Sequence, residues 1–486
     1  MTVMAQPLTG APSATAEWNS IDWKVAKAEV FRLQMRIAKA VREGRHNKVK
    51  SLQWLLTHSR SAKQLAVKRV TQNRGNKTPG IDNIIWKTSK QKMDAVRSLK
   101  RRGYNTLPLR RVYISKQDGK LRPLSIAAMK CRAMQTLYLL ALEPVAEMHA
   151  NKNSYGFRPN RSAADAAEQC FLALAKRGSA QWILEADIKA CFDNLSHGWL
   201  QNNIPMDKVM LNKWLTAGYL DQGVYHSTQK GAAQGSPISP VLLNMALSGL
   251  EEAVKSQISR RQDKVHTVIY ADDLIITGAT KAILEETVRP IVESFLGVRG
   301  LALSQEKTRI THIEEGFNFL GIHMRKYKGK LIRKPAKKSI SRFLNEIKTL
   351  VKSNPMAKTE NLLRQLNPKI RGWTQYFRHV CAKETFGQID TYIFRTLWRW
   401  IKRRHPTKAA YWRRKKYFRS EGNRNWVFSV KIRTGKTAEA NLDLFKASAV
   451  SIRRHIKIRA EATPYDPCFT AYFEWRKQYS TRSPRK

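Results

Sequence analysis

The stretch from His266 to Gly278 (His-Thr-Val-Ile-Tyr-Ala-Asp-Asp-Leu-Ile-Ile-Thr-Gly) constrains the fold and chemistry of this chain more than any other. Two short apolar runs rich in β-branched residues flank its Ala-Asp-Asp segment. Such runs on either side of a polar turn are typical of a tight β-hairpin whose arms pack on a core. Asp272 and Asp273 would then lie side by side at the tip, where mutual repulsion and apolar surroundings disfavour ionisation of both.

A divalent cation with oxygen ligands, most often Mg²⁺, is the usual means of keeping two such carboxylates ionised. A third carboxylate, Asp187, lies at the end of another predicted strand, Trp182–Ile188. Three carboxylates that hold two metal ions suit in-line phosphoryl transfer, in which one ion activates the attacking oxygen and the other stabilises the leaving group. For the Asp-Asp pair taken alone, an ordinary turn is the alternative, because aspartate is common in turns.

The balance of charge indicates a polyanionic partner. The chain carries 89 Lys and Arg against 37 Asp and Glu, a formal net charge of +52 with a pI near 10.4. Charge of one sign in this amount opposes the compact state, and nucleic acid is the polyanion that best accounts for it. An anionic membrane surface is the competing interpretation. It is disfavoured because the basic residues are spread along the chain and mixed with Trp and Tyr, instead of lying beside one amphipathic anchor.

The cysteines and the hydropathy of the sequence indicate where in the cell the protein is found. The five cysteines stand singly, without a C-x-x-C pair, which disfavours a zinc ribbon and predicts a reducing compartment. No run of about eighteen apolar residues is present, and the N-terminus lacks the features of a secretory signal. We therefore expect no membrane partner and a cytoplasmic location in a bacterium, associated with the nucleoid or with ribonucleoprotein, with an organelle as the alternative.

Composition divides the chain into successive segments. Two amphipathic helices are expected between Trp23 and Val70, where few acids accompany the bases, and strands are expected near Trp426–Ile432. The predicted segments are a disordered N-terminus (1–22), a basic helical extension (23–88), a mixed region with the acidic motifs (89–335), a three-helix appendage (336–410) and a basic C-terminal region that could bind DNA (411–486).

Several residues are candidates to surround a phosphate-bearing ligand near the carboxylates. Asp118-Gly119 predicts the turn of a basic hairpin, where Lys116, Lys120 and Arg122 could grip a triphosphate. The small-residue turn 231–240 lets the backbone approach a ligand closely, and its Gln234 offers both a donor and an acceptor. Phe192 lies five residues after Asp187, close enough for its ring to wall the same site.

Other residues are predicted to contact nucleic acid. Aromatic residues interleaved with Arg and Lys, as at 398–405, suit base stacking combined with phosphate contacts. Trp373 and Phe377 lie one helical turn apart, and this spacing also predicts that they pack in the core of the appendage. The predicted nucleic-acid contacts are Arg158, Lys307, Arg371, Trp373, Arg399, Arg403 and Arg404.

Taken in order, these motifs resemble those of the reverse transcriptases encoded by group II introns, also called intron maturases. The similarity spans roughly residues 25–410, and its last motif belongs to the family's maturase, or X, domain. The matching motifs are Thr-Pro-Gly-Ile-Asp (78–82), Arg-Pro-Leu (122–124), Ser-Tyr-Gly-Phe-Arg-Pro (154–159), Ala-Asp-Ile-x-x-Cys-Phe-Asp (186–193), Gln-Gly-x-Pro-Ile-Ser-Pro (234–240), Tyr-Ala-Asp-Asp (270–273), Leu-Ser-x-Glu-Lys-Thr (303–308), Phe-x-Phe-Leu-Gly (317–321) and Leu-Asn-Pro-x-Ile-Arg-Gly-Trp (366–373).

The resemblance implies an α+β fold of the right-hand polymerase class, with fingers, a palm built on an antiparallel sheet, and an α-helical thumb formed by the X domain. It implies that Asp187, Asp272 and Asp273 are catalytic and bind two Mg²⁺ ions, and that Phe192 favours deoxynucleotides. The implied partners are intron RNA, an RNA template–DNA primer duplex, target DNA and dNTPs, while the oligomeric state, a homodimer included, is left open. The implied nucleotide-binding residues are Lys116, Arg122, Phe192, Gln234 and Tyr270.

Some positions depart from the family's usual pattern. Ala233 and Ser115 stand where Pro is usual, Ser236 where a second Gly is common, and Glu185 where Asp is frequent. None removes one of the three carboxylates, but several alter loops that shape the nucleotide pocket. Because paired cysteines are absent, no HNH endonuclease is expected in the C-terminal region.

The sequence therefore predicts an RNA-directed DNA polymerase that also assists the splicing and mobility of its intron. One alternative is an RNA-binding splicing maturase with weak or lost polymerase activity, which the altered loops motivate. Another is a different palm-type phosphoryl transferase, such as a cyclase, which also uses acidic hairpins.

Overall fold

A computed structural model describes residues 13–115, 119, 121–259, 262–434 and 438–481. The described chain forms two compact units. The first comprises residues up to Ser162, Leu184–Ile310 and residues from Ile458, and the second comprises Ala163–Ile183 and Thr311–Lys457.

Helices and strands alternate along the described residues, which confirms the predicted α+β class. A π-helical segment, Ile283–Val288, leads directly into the helix that follows it, and short 3-10 turns occur at Ala447–Ala449 and Pro467–Phe469. The α-helices are α1 (Ala14–Asn19), α2 (Trp23–Arg42), α3 (His46–His58), α4 (Arg60–Gln72), α5 (Ser89–Ser98), α6 (Met129–His149), α7 (Ala163–Leu174), α8 (Cys191–Asn194), α9 (His197–Asn203), α10 (Lys208–Leu215), α11 (Ser239–Ala246), α12 (Leu250–Lys255), α13 (Arg289–Gly297), α14 (Lys337–Lys352), α15 (Thr359–Phe377), α16 (Lys383–Arg404), α17 (Ala410–Tyr417) and α18 (Thr470–Thr481).

Within the described ranges, the strands form four small sheets with the orders β2-β1-β4-β5, β6-β7-β3-β8, β11-β10-β9 and β12-β13-β14. The strands are β1 (Leu109–Ser115), β2 (Leu121–Ile126), β3 (Trp182–Asp187), β4 (Tyr219–Asp221), β5 (Val224–His226), β6 (Thr267–Tyr270), β7 (Asp273–Gly278), β8 (Arg309–His312), β9 (Phe317–Phe319), β10 (Ile322–Tyr327), β11 (Lys330–Pro335), β12 (Phe418–Glu421), β13 (Arg424–Thr434) and β14 (Ala438–Asp443).

The N-terminal helices of the first unit pack on α6, which is buried along most of its length. Val30 and Ile37 of α2, Leu52 of α3 and Val67 of α4 are buried, as their three- and four-residue spacing predicts. The prediction of two helices here is wrong, because there are three. Ser59 adopts an extended backbone with φ −62° and ψ 133°, which separates α3 from α4, and its hydroxyl accepts the Ala62 N–H to cap α4.

The N-terminal segment is partly ordered, which corrects the prediction that residues 1–22 are disordered. The short helix α1 covers Ala14–Asn19, while residues 1–12 lie outside the described part of the chain. Trp18 is buried and meets Trp23 edge to face, with 5.1 Å between the ring centroids. Burial of the large Trp18 ring stabilises this helix, although the other residues of the segment are small or polar.

Both predicted hairpins of the first unit are present. β1 and β2 pair antiparallel from Arg110↔Ile126 to Ser115↔Leu121, although residues 116–118 and 120 of the connecting turn, including Lys116 and Lys120, lie outside the described residues. β6 and β7 pair antiparallel from Thr267↔Ile276 to Tyr270↔Asp273.

The second unit contains the predicted three-helix appendage, formed by α14, α15 and α16. Its core includes Phe343, Ile347, Leu366 and Phe386. The strands expected near Trp426–Ile432 are also confirmed, since β13 spans this segment and pairs with both β12 and β14. None of the helices in the described residues is both long enough and apolar enough to cross a membrane.

Candidate active site

The Ala271-Asp272 turn between β6 and β7 places two carboxylates at one end of a sheet. Tyr270 and Asp273 are the last paired residues of the hairpin, and Ala271 has a left-handed φ of 57°. β7 lies next to β3 in the sheet, and the Ile188 N–H just after β3 donates to the Asp272 carbonyl at 3.2 Å. Asp187, the last residue of β3, therefore ends beside the turn, at the edge where the sequence predicted it.

At this edge, burial and negative charge outweigh the nearby positive charge in setting the pKa values of Asp272 and Asp273. Burial raises the pKa of Asp272, the negative charge of Asp187 raises it further, and Lys307 and Arg122 lower it. Burial, followed by the charges of Asp272 and Asp187, raises the pKa of Asp273 to about 6. Because each carboxylate makes ionisation of the others harder, the site favours a cation.

An ammonium group already lies against one of the three carboxylates. The Lys307 Nζ donates to both oxygens of Asp187, at 3.0 and 3.1 Å, and this bond raises the pKa of Lys307. The Lys307 side chain is 64% exposed, so it is held by Asp187 and not by packing. The contact between Lys307 and nucleic acid stays a prediction, whereas its ion pair with Asp187 is a feature that the sequence did not reveal.

The donor chemistry of this edge fits Mg²⁺, which prefers carboxylate oxygens. In the arrangement seen here, however, no group of three or more His, Cys, Asp or Glu side chains among the described residues lies close enough to hold a metal ion. Asp187 is engaged by Lys307, and Asp272 and Asp273 follow one another along the hairpin. The residues therefore fit the ion by their chemistry, and the Lys307 ammonium competes with it for the oxygens of Asp187.

The loop Asn153–Phe157 supports the Asp272 turn along the free side of β6. The Ile269 N–H donates to the Asn153 carbonyl, and the Tyr155 N–H donates to the Ile269 carbonyl, each at 2.9 Å. Gly156 then passes so close to the turn that a Cβ at this position would lie 2.3 Å from the Ala271 nitrogen. Only glycine allows this approach, so the loop fixes the position of the turn.

Replacing Gly156 with alanine is therefore expected to displace the Ala271-Asp272 turn. The clashing atoms belong to the backbone and cannot rotate away. A displacement of about 1 Å at a catalytic group can lower a rate about 100-fold, so we expect primer extension to fall by about 10- to 100-fold. Initial rates of primer extension and the melting temperature of each variant measure the effect.

Gly178→Ala is the matched control, because nothing lies within 4 Å of a Cβ at that position. It is expected to leave both quantities unchanged. Equal activities of the Gly156→Ala and Gly178→Ala variants would show that the turn does not depend on the loop.

Arg158 follows in the same loop, and its position corrects the prediction that it contacts nucleic acid. The Arg158 side chain is 4% exposed and forms a two-pronged ion pair with Glu147, with N–O distances of 2.8 and 2.9 Å. Its remaining nitrogen donates to the carbonyls of Asn151 and Ser154. Each of its three nitrogens donates inside the protein and the side chain is buried, so it does not reach a phosphate.

The predicted nucleotide-binding residues that the structure describes lie on several elements, of which β2 brings Arg122 close enough to Asp272 to act on its pKa. Arg122 is an exposed residue of β2, and its charge lowers the pKa of Asp272. The Gln234 carbonyl accepts from the Ser125 N–H of the same strand at 2.9 Å, and the Ala232 N–H donates to the Phe192 carbonyl at 2.6 Å. The loop that carries Gln234 thus bridges β2 and α8. Lys116 lies outside the described residues.

Phe157 is a neighbour that the sequence analysis missed. Its ring meets that of Phe192 edge to face, with 6.4 Å between the centroids, and it is 52% exposed. Its backbone has a left-handed φ of 57°, which is rare for an aromatic residue. The only sequence signal was its position in an aromatic–basic loop, and that signal does not specify the backbone conformation.

The residues predicted to contact nucleic acid in the appendage differ in their surroundings. Trp373 stacks on Phe343 with 5.0 Å between the centroids, which confirms that it packs in the helical core. Arg371, Arg399 and Arg403 are exposed, so their contacts with nucleic acid stay predictions. The guanidinium of Arg404 donates to the Ala357 carbonyl and lies 5.0 Å from the centre of the Trp400 ring.

Three protein-family models match the chain, one after another along its length. The model described as N-terminal domain of reverse transcriptase matches residues 18–99. The model described as reverse transcriptase (RNA-dependent DNA polymerase) matches residues 114–324. The model described as group II intron, maturase-specific domain, matches residues 340–418.

Individual relatives agree with these models. Protein YkfC of Escherichia coli is 33% identical over 299 residues, which cover 52% of this chain and 77% of that protein. The group II intron-encoded protein LtrA of Lactococcus lactis is 36% identical over 203 residues, 39% of this chain and 33% of that protein. The match thus spans about a third of the length of LtrA. Maturase-like protein 1 of Euglena gracilis is 24% identical over 368 residues, which cover 74% of this chain and 76% of that protein.

Among solved structures, a telomerase from Candida albicans with a fragment of telomeric RNA aligns over 63% of each chain at 13% identity. Its TM-score of 0.36 is too low for the likeness to carry an argument.

Proposed function

The chain belongs to the family of reverse transcriptases and maturases encoded by group II introns, and we propose that it synthesises DNA on an RNA template from a primer 3′-OH. Its fold is α+β and of the right-hand polymerase class. Within that fold we assign residues 89–335 to fingers and palm, 336–410 to the thumb and 411–486 to a basic nucleic-acid-binding region.

One observation carries the proposal. Asp187 and the Asp272-Asp273 pair share one edge of the sheet β6-β7-β3-β8, where the charge of Lys307 lowers the pKa values of Asp272 and Asp273 and the charge of Arg122 lowers that of Asp272. Three acids at one edge, two of them with raised pKa values, beside cations that a triphosphate would attract, suit nucleotidyl transfer better than they suit a purely structural role.

Different residues of the chain bind different parts of the nucleotide. Arg122 attracts the triphosphate, while the Phe192 ring walls the side of the site where the sugar lies. The Gln234 side chain offers its donor and acceptor to the nucleotide, and the loop that carries it is held by the Ser125 N–H. Such positioning converts the attack of the 3′-OH into an effectively intramolecular step.

Asp187, Asp272 and Asp273 are the residues that would hold Mg²⁺, two ions in the family's mechanism. The ions supply Lewis-acid stabilisation of the phosphoryl oxygens and lower the pKa of the attacking hydroxyl. Before that, the Lys307 ammonium has to leave Asp187, and its exposed side chain leaves it free to do so.

The same ion pair favours a second function, that of an RNA-binding maturase with weak or lost polymerase activity. A stable Lys307–Asp187 pair would deny the site one of its three carboxylates. Such a protein would assist intron splicing through its basic surfaces alone.

Primer extension separates the two functions. Purified protein is incubated with an RNA template, a DNA primer, dNTPs and Mg²⁺, and the extended products are resolved by length. Extension supports the polymerase. No extension, combined with tight binding to structured RNA, supports the maturase and overturns our first proposal.

Binding to RNA is expected to weaken steeply with salt for either function. Each phosphate contact releases counterions, so the slope of log affinity against log salt should be roughly −0.7 to −0.9 per contact. With a net charge of +52, several such contacts are expected. Filter binding at a series of KCl concentrations measures the slope, and a nearly flat dependence would show that the charge serves another purpose.

A further inference from the structure

A cavity of about 450 Å³ in the second unit lies between α16 and the sheet β12-β13-β14. Its walls include the rings of Phe394, Phe418 and Trp426, whose centroids are 5.4 to 5.8 Å apart. Phe418 is buried, whereas Trp426 is 46% exposed. The cavity therefore has an aromatic floor and one large ring that is open to an incoming ligand.

The rim of this cavity carries several cations, of which Arg424 pairs with Glu421 at 3.3 Å. Arg424 and Lys446 line it, and the Arg414 guanidinium lies 4.8 Å from the centre of the Trp426 ring. The surrounding segment 411–434 contains eight Lys and Arg residues and one Glu. Aromatic faces inside a ring of cations suit a planar, unsaturated group that carries negative charge beside it.

One acid, Asp390, also lines the cavity, but its charge is already engaged. Its two carboxylate oxygens accept the backbone N–H groups of Ala447 and Ser448, at 2.7 and 2.9 Å. These bonds fix the chain that follows β14, so the acid shapes the wall and does not offset the cations at the rim.

We propose that this cavity binds an unpaired nucleobase of RNA, which stacks on Trp426 while the adjoining phosphates contact Arg424 and Lys446. A paired base is excluded because its faces are covered by its neighbours in the helix. RNA is the nucleic acid to which we commit, because α16 and Phe418 both fall within the match to the maturase-specific domain of group II introns, residues 340–418. The proposal rests on the proposed function only in requiring an RNA partner.

Replacing Trp426 with alanine tests the proposal. Stacking on an aromatic side chain contributes about 1–3 kcal/mol per base, so affinity for a short unstructured RNA should fall by about 5- to 150-fold. Affinity for a fully paired RNA duplex should not change. Fluorescence anisotropy with labelled oligonucleotides measures both, and an oligonucleotide without bases should bind the parent weakly and be insensitive to the substitution.

Two further variants keep the test independent of folding. Trp54→Ala is the control, because Trp54 is 58% exposed but lies on α3, outside the region assigned to nucleic-acid binding, and it should leave RNA affinity unchanged. Thr391→Trp fills the cavity from α16 without removing a core side chain and should reproduce the loss seen with Trp426→Ala. If Trp426→Ala lowers the melting temperature, its loss of RNA affinity could reflect misfolding. The RNA affinity of the Thr391→Trp variant then tests whether a base enters the cavity.

Two outcomes would overturn the proposal. An equal loss on the unpaired and the duplex RNA, or no loss on either, would show that no base enters the cavity. The same dependence on Trp426 with single-stranded DNA would show that the site is not one for RNA. Primer extension by the parent protein is measured in parallel, so failure of this proposal is distinguishable from failure of the polymerase.

Discussion

Replacing Asp272 with alanine is expected to abolish primer extension while leaving RNA binding unchanged. Metal ions contribute several kcal/mol to phosphoryl transfer, and each 1.4 kcal/mol is about tenfold in rate, so loss of a ligand should lower the rate by at least about 1,000-fold. Single-turnover extension on an RNA template measures the rate, and filter binding measures the affinity. Retained synthesis would mean that the catalytic metal ligands lie elsewhere.

The same variant has an expected signature in stability. Burial and the charge of Asp187 raise the pKa of Asp272 above its ordinary value, so its ionised form at neutral pH destabilises the folded chain. The Asp272→Ala variant should therefore melt at the same or a higher temperature than the parent, which excludes misfolding as the cause of lost activity. Asp94→Ala is the control, since this α5 carboxylate is 52% exposed and should affect neither property.

The sequence predicted secondary structure best where the spacing of apolar residues and the chemistry of the side chains indicate the same element. The β-branched runs on either side of Asp272-Asp273 specify a hairpin, and the run before Asp187 specifies a strand that ends in an acid, so both elements could be predicted. That β3 lies beside β7, which brings the three acids to one edge, is a property of the fold. The three-helix appendage could be predicted for the same reason, because its apolar residues recur with helical spacing over long segments.

Contacts between distant residues could not be predicted from local pattern. A lone Lys307 reads as a surface base, and only the fold brings its ammonium to Asp187, 120 positions away in the chain. The close approach of Gly156 to Ala271 is likewise a property of two loops meeting. At Ser59 the local pattern itself was misleading. The apolar spacing on either side predicts one continuous helix, but the extended backbone of Ser59 divides it into two.

Arg158 shows how a motif residue can serve the site without touching a ligand. In an aromatic–basic loop of a basic protein, an arginine is expected to meet phosphate or a carboxylate. The fold buries it against the Glu147 carboxylate, where it also holds the Asn151 and Ser154 carbonyls at the start of the loop that supports the Asp272 turn. Arg158 is therefore a positioning residue.

Replacing Arg158 with alanine is accordingly expected to destabilise the protein strongly. Removing one partner of a buried ion pair leaves an uncompensated charge, here that of Glu147, whose side chain is 3% exposed, and costs about 3–5 kcal/mol. Chemical denaturation measures the loss. Arg364→Ala is the matched control, because its pair with Glu360 on α15 is exposed and should contribute less than about 0.5 kcal/mol. The double variant Arg158→Met, Glu147→Leu should recover much of the stability, because it leaves no charge unpaired. If Arg158→Ala instead weakened RNA binding and left stability unchanged, Arg158 would be a nucleic-acid contact after all, as its place in the sequence predicts.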